Sequence, residues 1–544
     1  MARPDPGDIG RRGTGDGISP WRRRLIGWRA RLGGLGGWRG RGTLVLLGAL
    51  AAAAMPPVHL VFLLVPSFVG WLWIIERKTT WRGAFSAGWW YGLGFFGAGL
   101  YWVSGAFLVE PEKHAWMIPF AITLLSGGFA LFPGMVAMGV RWVPGSGLGR
   151  ALALAIIWTG AEWVRGWFLT GFPWNLMGTV WVFSDAMIQP AALFGTYGLG
   201  LLTVFIASSP AVLGEAGPLS RRAGMGLGIA AALLAAMWLG GEIRVAGAGA
   251  EEVQGVRLRL VQPNIRQDQK WKAGHRDRHL ALQVAMSRQA GAGPPPTHVI
   301  WPETAATFFF GRDPGRRAFF AQAAPPGGLA ITGAPRTTPP EVRPYQVWNS
   351  LQVLDHTGRI VGTYDKSHLI PFGEYVPFRP WLTIPKVTEG RQDFSAGEGV
   401  TSLRLPGLPP VSPLICYEVI FPGHVALRDD RPGWLLNLTN DAWYGHSAGP
   451  YQHLAAARMR AVEEGLPLVR VATTGISGVY DSLGRVRAQL GLGWAGIVDS
   501  GLPVAGPATP YSRFGNFMVA VMAVLLVVLS PVFREKPAAS EKSS

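Results

Sequence analysis

The segment Pro413-Leu414-Ile415-Cys416-Tyr417-Glu418 begins with a short apolar run, and this run ends in the single cysteine of the 544-residue chain. An apolar run of this length is typical of a buried strand. Because the sequence holds no second thiol, Cys416 cannot form an internal disulfide or contribute to a multi-cysteine metal site. Two interpretations stay open, a nucleophile at a strand end or an inert buried thiol, and residue type alone favours the inert thiol.

Other short runs of this kind lie on both sides of Cys416, within residues 242–512. They alternate with stretches of helical character such as His275–Ala290 and Tyr451–Glu464, which predicts one α/β domain of roughly 250 residues. The predicted strands are Val256–Gln262, Thr297–Trp301, Leu329–Gly333, Ser350–Asp355, Val411–Cys416, Gly433–Asn437 and Leu468–Ala472.

Two further reactive side chains follow apolar runs of the same domain. Glu303 comes after Ile300-Trp301-Pro302, and Lys366 comes after the run that contains Val361. Functional sites gather where strands end at one edge of an α/β sheet, so we expect Glu303, Lys366 and Cys416 to meet there. Taken singly, an exposed Glu or Lys is usually only solvated surface.

This trio has a chemical rationale, because a thiol is an effective nucleophile only as its thiolate. Forming a thiolate needs a base that takes the proton and a cation that stabilises the anion. Glu303 is the candidate base. Lys366 is the candidate partner of the thiolate and, together with the backbone N–H of Tyr417, of the oxyanion of a tetrahedral intermediate.

Composition indicates that the rest of the chain lies in a membrane. Hydrophobic residues make up 49% of the chain and charged residues 15%, whereas an ordinary soluble domain has roughly 25% charged residues. This excludes a soluble single-domain enzyme. Eight apolar runs are candidate spans, the first of them short. They are Thr43–Ala54, Leu60–Ile75, Ala84–Leu108, Ala115–Val140, Ala151–Phe168, Ala192–Leu213, Ala223–Gly241 and Asn516–Phe533.

The basic residues predict the orientation of these spans. Lys and Arg concentrate in alternate connections, namely the N-terminus, the Arg77/Lys78/Arg82 loop, the Arg141 to Arg150 loop, Arg221/Arg222 and the Arg534/Lys536 tail. Basic connections stay in the cytoplasm. The chain therefore divides into a basic cytoplasmic tail (1–42), transmembrane helices 1–7 (43–241), an extracytoplasmic domain (242–512), transmembrane helix 8 (513–533) and a cytoplasmic tail (534–544).

The net charge of +17 is likewise explained by basic residues that orient the chain in a membrane. Ten arginines lie in residues 1–42, and no nucleic-acid motif surrounds the remaining charge, so we expect no nucleic-acid partner. Within the fifth span, Glu162 and Arg165 are three residues apart on one helical face. They either pair inside the bundle or snorkel towards the outer surface, and the sequence leaves both possibilities open.

Four motifs, namely Trp-Pro-Glu, Lys-Ser-His-Leu-Ile-Pro-Phe-Gly-Glu, Cys-Tyr-Glu and Asn-Asp-Ala-Trp-Tyr-Gly, resemble the Glu-Lys-Cys signatures of the nitrilase (carbon-nitrogen hydrolase) superfamily. In a polytopic chain with Thr170-Gly171-Phe172-Pro173-Trp174 in an outer loop and a C-terminal span, the combination resembles the apolipoprotein N-acyltransferase family of the bacterial inner membrane. The resemblance covers about Val45 to Phe533. The long Arg/Gly-rich N-terminus departs from that pattern.

The resemblance implies a four-layer αββα domain in the periplasm on about eight transmembrane helices. It implies transfer of an acyl chain from a phospholipid, typically phosphatidylethanolamine, to the α-amine of a diacylglyceryl-cysteine in an apolipoprotein. Cys416 corresponds to the nucleophile of the family, Glu303 to its base and Lys366 to its oxyanion partner. No metal or cofactor is expected. The positions that match supporting residues are Glu374, Tyr417, Glu418, Trp271 and Asn349.

Simpler interpretations accompany these assignments. Glu374 could form only a structural ion pair with Lys366, Glu418 could serve only to satisfy backbone donors, and Trp271 could be ordinary core. The run Phe308–Phe310 could line an acyl path or simply pack. For the whole chain, the alternatives are a membrane-tethered amidase that uses water as acceptor and a catalytically silent scaffold that binds lipidated proteins.

Overall fold

A computed structural model describes residues 18–143, 147–291, 293–377, 379, 381 and 392–529. The predicted C-terminal tail and the first seventeen residues, with Arg11 and Arg12, lie outside the described residues. The described chain has a helical N-terminal region, an α/β domain and a C-terminal helix.

The helical region begins inside the segment predicted as a basic tail. Helices α1 to α11 are Pro20–Gly34, Gly37–Ala52, Leu64–Glu76, Trp81–Gly99, Ser104–Phe107, Pro111–His114, Ile118–Phe129, Leu131–Trp142, Leu148–Arg165, Ala191–Ser208 and Arg221–Ala246. After the α/β domain the chain forms α16 (Pro510–Phe514) and α17 (Phe517–Leu529). Each of the eight predicted spans overlaps at least one helix, and the last of them, Asn516–Phe533, continues beyond the described residues.

Three of these helical segments are long and apolar enough to cross a membrane, counted over the residues that the structure describes: Pro111–Trp142, Ala191–Gly214 and Arg221–Ala246. Two shorter apolar helices, Val61–Glu76 and Phe517–Val528, accompany them. Glycines let the helices pack closely. A Cβ on Gly48 of α2 would lie 2.0 Å from the carbonyl oxygen of Tyr91 in α4, which only a glycine tolerates.

The α/β domain contains strands β1 to β11, Glu252–Gln262, His298–Ile300, Leu329–Thr337, Val347–Asp355, Ile360–Asp365, Val411–Ile415, Trp434–Thr439, Leu468–Ala472, Ser477–Tyr480, Val486–Leu490 and Gly496–Pro503. Its helices α12 to α15 are Gln267–Lys270, Arg276–Arg288, Pro314–Ala321 and Ala448–Glu464. All seven predicted strands and both predicted helices are confirmed. The strands β5, β9, β10 and β11 were not predicted.

The strands form two sheets. The first has the order β11-β1-β2-β3-β4-β5 and the second the order β10-β9-β8-β7-β6. Strands β1, β2 and β3 run parallel, as do β6, β7 and β8, whereas β4, β5, β9, β10 and β11 join the sheets through antiparallel pairs.

Strand periodicity explains how the sheets pack, because successive side chains point to opposite faces. In β7, Leu436 joins the apolar core between the sheets, whereas its neighbour Leu435 packs with the α15 side of the domain. In β2, Ile300 lies between the sheets and Val299 faces α13 and α14. The domain is therefore an α/β sandwich with the layer order αββα.

Candidate active site

Glu303 lies just beyond the carboxyl end of β2, where the chain leaves the sheet through Trp301 and Pro302. Its side chain is buried, with 6% of its surface exposed. Oε1 accepts a hydrogen bond from Nδ2 of Asn349 at 2.7 Å. Oε2 accepts none from any described residue, so one oxygen of this carboxyl group is available to take up a proton.

Lys366 follows the last residue of β5 and is also buried. Its Nζ forms an ion pair with Oε2 of Glu374 at 2.9 Å. Asn349, on the neighbouring strand β4, donates from the same Nδ2 to Oε1 of Glu374 at 3.1 Å and to Glu303. One amide group thus links the two carboxylates, and Glu374 connects that amide to the lysine.

Cys416 stands at the carboxyl end of β6, where the chain turns sharply. Its φ of 52° lies in the left-handed region, which costs a residue with a Cβ about 1 kcal/mol or more. The surrounding structure holds this conformation. The Cys416 carbonyl oxygen lies 3.1 Å from Nε2 of His453 and accepts a hydrogen bond from Nδ2 of Asn437 at 3.4 Å.

Glu418 joins the lysine segment to the cysteine turn. Its Oε1 accepts hydrogen bonds from the backbone N–H of Ser367 at 2.8 Å and of His368 at 3.1 Å. Its Oε2 accepts from the N–H of Ile415 at 2.7 Å. This buried carboxylate therefore satisfies backbone donors, as the simpler interpretation expected, and by doing so it fixes the distance between the segments that carry Lys366 and Cys416.

Tyr417 ties the site to the helical region. Its hydroxyl donates to the carbonyl oxygen of Gly171 at 2.7 Å, and its ring stacks near that of Phe172, with centroids 6.3 Å apart. His368 contacts the same loop through Nε2, 2.7 Å from the carbonyl oxygen of Thr170. The loop Thr170–Trp174, which the sequence analysis places on the outer side, therefore contacts the residues that flank the site.

Glu162 and Arg165 of α9 form hydrogen bonds with the backbone of this loop and of the segment that follows it. Both are buried, so neither snorkels. Arg165 donates to the carbonyl oxygens of Phe172 at 2.6 Å and Trp174 at 2.8 Å, and Glu162 accepts from the N–H of Met177 at 2.9 Å. Both side chains thus bind backbone groups, which explains why two polar residues can be buried here.

Burial dominates the protonation equilibria of the cluster. It raises the pKa of Glu303, and although Lys366 opposes the shift, the second carboxylate at Glu374 adds to it. Burial and the charge of Glu303 raise the pKa of the Cys416 thiol to about 12. Burial also disfavours the charged form of Lys366, but Glu374 and Glu303 outweigh it and the pKa of the ammonium group rises. The resting site at neutral pH is therefore a thiol beside an ammonium ion.

A second lysine, Lys270, enters the site from α12. It is 3% exposed, and its Nζ donates to the backbone carbonyl oxygen of Glu303 at 2.9 Å. Burial lowers its pKa to about 8, while the charges of Glu303 and Cys416 act in the opposite direction. Trp271, the next residue, is half-buried. Trp271 was predicted, and Lys270 was not, although it precedes Trp271 directly.

The sequence interpretation also missed the group that holds the cysteine turn. Asp441 accepts hydrogen bonds from Nη2 of Arg470 at 2.8 Å and lies 2.9 Å from Nδ1 of His453. All three side chains are fully buried. The Asn-Asp-Ala-Trp-Tyr-Gly motif contains Asp441 and could have pointed to this residue. No sequence pattern relates Asp441 to Arg470.

Two of the three residues in the run Phe308–Phe310 pack in the apolar core, as the simpler interpretation expected. Phe308 and Phe310 are buried in the core beside α14, with their ring centroids 5.0 Å apart. The remaining predicted residues, Glu303, Lys366, Glu374, Asn349 and Cys416, meet at one edge of the sandwich. Chemically, this edge combines a buried thiol, a carboxyl oxygen to which no described residue donates and a buried cation, which suits nucleophilic attack on a carbonyl group.

Two family models match different parts of the chain. Residues 47–209 match the family model for the apolipoprotein N-acyltransferase N-terminal domain. Residues 257–504 match the model for carbon-nitrogen hydrolases.

Full-length relatives match across both regions. The chain is 41% identical over 522 residues to the apolipoprotein N-acyltransferase of Rhodopseudomonas palustris, covering 93% of this chain and 97% of the relative. It is 42% identical over 514 residues to that of Bradyrhizobium diazoefficiens, covering 91% and 95%. A solved amidase of the nitrilase superfamily from Nesterenkonia is 18% identical, with a TM-score of 0.35 over 52% of this chain and 99% of the amidase.

Proposed function

The chain belongs to the apolipoprotein N-acyltransferase family, and we propose that it moves an acyl chain from a phospholipid to the N-terminal amine of an apolipoprotein through a thioester on Cys416. The acceptor is the α-amine of the diacylglyceryl-cysteine that begins the apolipoprotein. The donor is a membrane phospholipid, with phosphatidylethanolamine as the expected class.

One observation carries the assignment of the site. The buried cluster of Glu303, Asn349, Glu374 and Lys366 lies close enough to Cys416 for the charges of Glu303 and Lys366 to act on its thiol. The hydroxyl of Tyr417, the next residue, donates to the carbonyl oxygen of Gly171 in the helical region at 2.7 Å. A thiol site built against apolar helices is suited to substrates that arrive from a bilayer. A soluble amide substrate would not require this arrangement.

In the first half-reaction, Sγ of Cys416 attacks the ester carbonyl carbon of the phospholipid. Glu303 takes the thiol proton on Oε2, the oxygen that no described donor occupies. Lys366 and the backbone N–H of Tyr417 stabilise the oxyanion. The tetrahedral intermediate collapses with loss of the lysophospholipid alkoxide, which receives the proton from Glu303. The products are the thioester and a neutral lysophospholipid.

In the second half-reaction, the α-amine of the apolipoprotein attacks the thioester carbonyl. An α-amine has a pKa of about 7.7–8.0, so a substantial fraction is neutral at neutral pH. Glu303 removes the proton that becomes acidic on attack, and the Cys416 thiolate leaves and is reprotonated. The amide product is released, and the enzyme returns to its starting state by a ping-pong mechanism.

The proposed reaction implies a protein of the bacterial inner membrane, with residues 242–512 in the periplasm and eight helices crossing the bilayer. Three helical segments are long and apolar enough for this by themselves. The alternation of basic connections supports the orientation. The bilayer supplies both acylated substrates laterally, and an apolar entrance limits hydrolysis of the thioester.

Mass analysis of the intact protein tests the proposal. After incubation with phosphatidylethanolamine of defined acyl chains, we expect a mass increase of one acyl group on Cys416, and its loss when a diacylglyceryl-cysteine peptide is added. The Cys416→Ala variant should show neither the adduct nor lysophospholipid release. Release of free fatty acid instead of N-acyl peptide would contradict the transferase and favour the membrane-tethered amidase.

A further inference from the structure

Helix α1 presents a regular stripe of exposed side chains that the proposed reaction does not use. Trp21, Arg24, Trp28 and Arg31 follow one another at intervals of three, four and three residues, so they lie on one face of the helix. Trp21 and Trp28 are 53% and 56% exposed, and both arginines are exposed as well. We call these four residues the α1 stripe.

The opposite face of α1 is bound to the helical region. Arg22 is buried and donates to the carbonyl oxygens of Leu213 at 3.3 Å and Glu215 at 3.0 Å. Arg29 forms an ion pair with Glu76, the last residue of α3, at 2.7 Å. These contacts fix α1 across the ends of α3 and of the segment that follows α10, so the stripe faces outward from a defined position.

The surroundings of the stripe are strongly basic. Residues 18–82 contain nine arginines and one lysine but a single acidic residue, Glu76, which is paired with Arg29. Beside α1, a groove of about 150 Å³ is lined by two cations, Arg41 and Lys78, and by apolar side chains that include Leu44 and Trp90. The guanidinium group of Arg41 lies 5.5 Å from the Trp90 ring centroid. Cations and aromatic rings therefore alternate on the helix, and both kinds of side chain line the groove.

Phospholipid headgroups suit this combination better than a polyanion in solution does. Tryptophan favours the boundary between headgroups and acyl chains, where its ring is partly apolar and its N–H stays hydrated. Arginine binds phosphate with several donors, and a cation near an anionic membrane surface contributes about 1 kcal/mol. A nucleic acid or acidic protein would use the arginines but would leave the interleaved tryptophans and the apolar groove wall in water.

We propose that α1 is an anionic-lipid binding element, in which Trp21 and Trp28 enter the headgroup layer and Arg24 and Arg31 bind the phosphates of anionic phospholipids. This inference rests on the membrane placement stated under the proposed function. It adds a lipid class that is distinct from the acyl donor, and a binding surface that lies outside the active site.

Native mass spectrometry of the full-length protein measures this binding. The protein is released from detergent micelles that contain equal amounts of phosphatidylglycerol and phosphatidylethanolamine, and the bound lipids are counted. For Arg24→Gln/Arg31→Gln we expect the apparent affinity for phosphatidylglycerol to fall about tenfold or more, with phosphatidylethanolamine binding unchanged. Arg24→Lys/Arg31→Lys should retain phosphatidylglycerol, because the charges remain.

A matched control removes two charges elsewhere. Arg278 and Arg359 are exposed in the α/β domain, and Arg278→Gln/Arg359→Gln should bind both lipids as the parent does. Equal phosphatidylglycerol binding by the parent and by Arg24→Gln/Arg31→Gln overturns the proposal, as does an equal loss in the control. A loss of binding in Arg24→Lys/Arg31→Lys also contradicts it.

Enzyme activity separates this inference from the proposed function. In micelles of neutral detergent and phosphatidylethanolamine, the Arg24→Gln/Arg31→Gln variant should transfer acyl chains at the parental rate. If the parent itself transfers none, the proposed function fails whatever the lipid count shows. If the parent is active and the lipid count does not change, only the role of α1 is wrong.

Discussion

The ammonium group of Lys270 donates a hydrogen bond to the backbone carbonyl oxygen of Glu303, with 2.9 Å between nitrogen and oxygen. The contact positions the residue that carries the candidate base. The charge of Lys270 also lowers the pKa of the Glu303 carboxyl group, against the larger effect of burial. The surrounding ionisable groups are Lys366, Glu374, Cys416 and, on α13, His279.

Replacing this lysine should shift the pH dependence of acylation. In Lys270→Met the pKa of Glu303 rises, because a nearby positive charge that favours the carboxylate is lost. The base form of Glu303 then appears only at higher pH. We therefore expect the acidic limb of acyl-enzyme formation to move upward by about one pH unit, measured as the rate of lysophospholipid release against pH.

Lys272 provides the matched control for that experiment. It lies two residues further on and is exposed, so Lys272→Met should leave the acidic limb where it is in the parent. If Lys270→Met lowers the rate by the same factor at every pH, Lys270 only supports the local structure.

Asn349 should be required for the acylation rate. Its Nδ2 donates to Glu303 at 2.7 Å and Glu374 at 3.1 Å, and hydrogen bonds to charged groups contribute about 1.5–3 kcal/mol each. In Asn349→Leu we expect acyl-enzyme formation to fall by about a hundredfold, with the pKa of Glu303 raised further. The rate is measured by quenching the reaction at successive times and determining the acylated fraction from the mass of the intact protein. A variant that unfolds at the parental temperature and acylates at the parental rate would remove Asn349 from the site.

Substitution of Lys366 distinguishes charge from hydrogen-bond geometry. Lys366→Arg keeps a positive charge, but the planar guanidinium group does not fit a buried site built around a compact ammonium ion paired with Glu374 at 2.9 Å. We expect acyl-enzyme formation to fall by about two orders of magnitude, the effect of losing one oxyanion donor. Lys366→Met should be at least as impaired. Near-parental acylation by the arginine variant would show that charge alone is sufficient.

The orientation of the α/β domain predicts a labelling pattern. Arg359 and Arg82 are both exposed, the first in the α/β domain and the second at the start of α4. On a Cys416→Ala background, Arg359→Cys should react with an impermeant maleimide in intact spheroplasts, and Arg82→Cys should react only after the membrane is opened. Labelling of Arg82→Cys from outside would reverse the topology.

The sequence by itself predicted every element with a strong local signal. Seven strands could be predicted because buried strands of a sandwich are short runs in which apolar residues predominate, as in Val411–Ile415 and Leu468–Ala472. Edge and outer strands lack that signal. The strand Val486–Leu490 includes Arg487 and Gln489 and none of its five residues is buried. It is therefore not an apolar run, and the structure identifies it by its pairing with β9.

The same division holds for the site. Glu303 and Cys416 were predicted because each follows a recognisable strand, and Lys366 because it follows the run that contains Val361. The ends of such runs converge at sheet edges. The partners that shape their chemistry come from distant parts of the chain. Only the tertiary structure puts the Lys270 ammonium on the Glu303 carbonyl, His453 beneath the strained Cys416, and the Gly171 loop against Tyr417. These hydrogen bonds act only over about 3 Å, so they form only after folding has brought together residues that are far apart in the sequence.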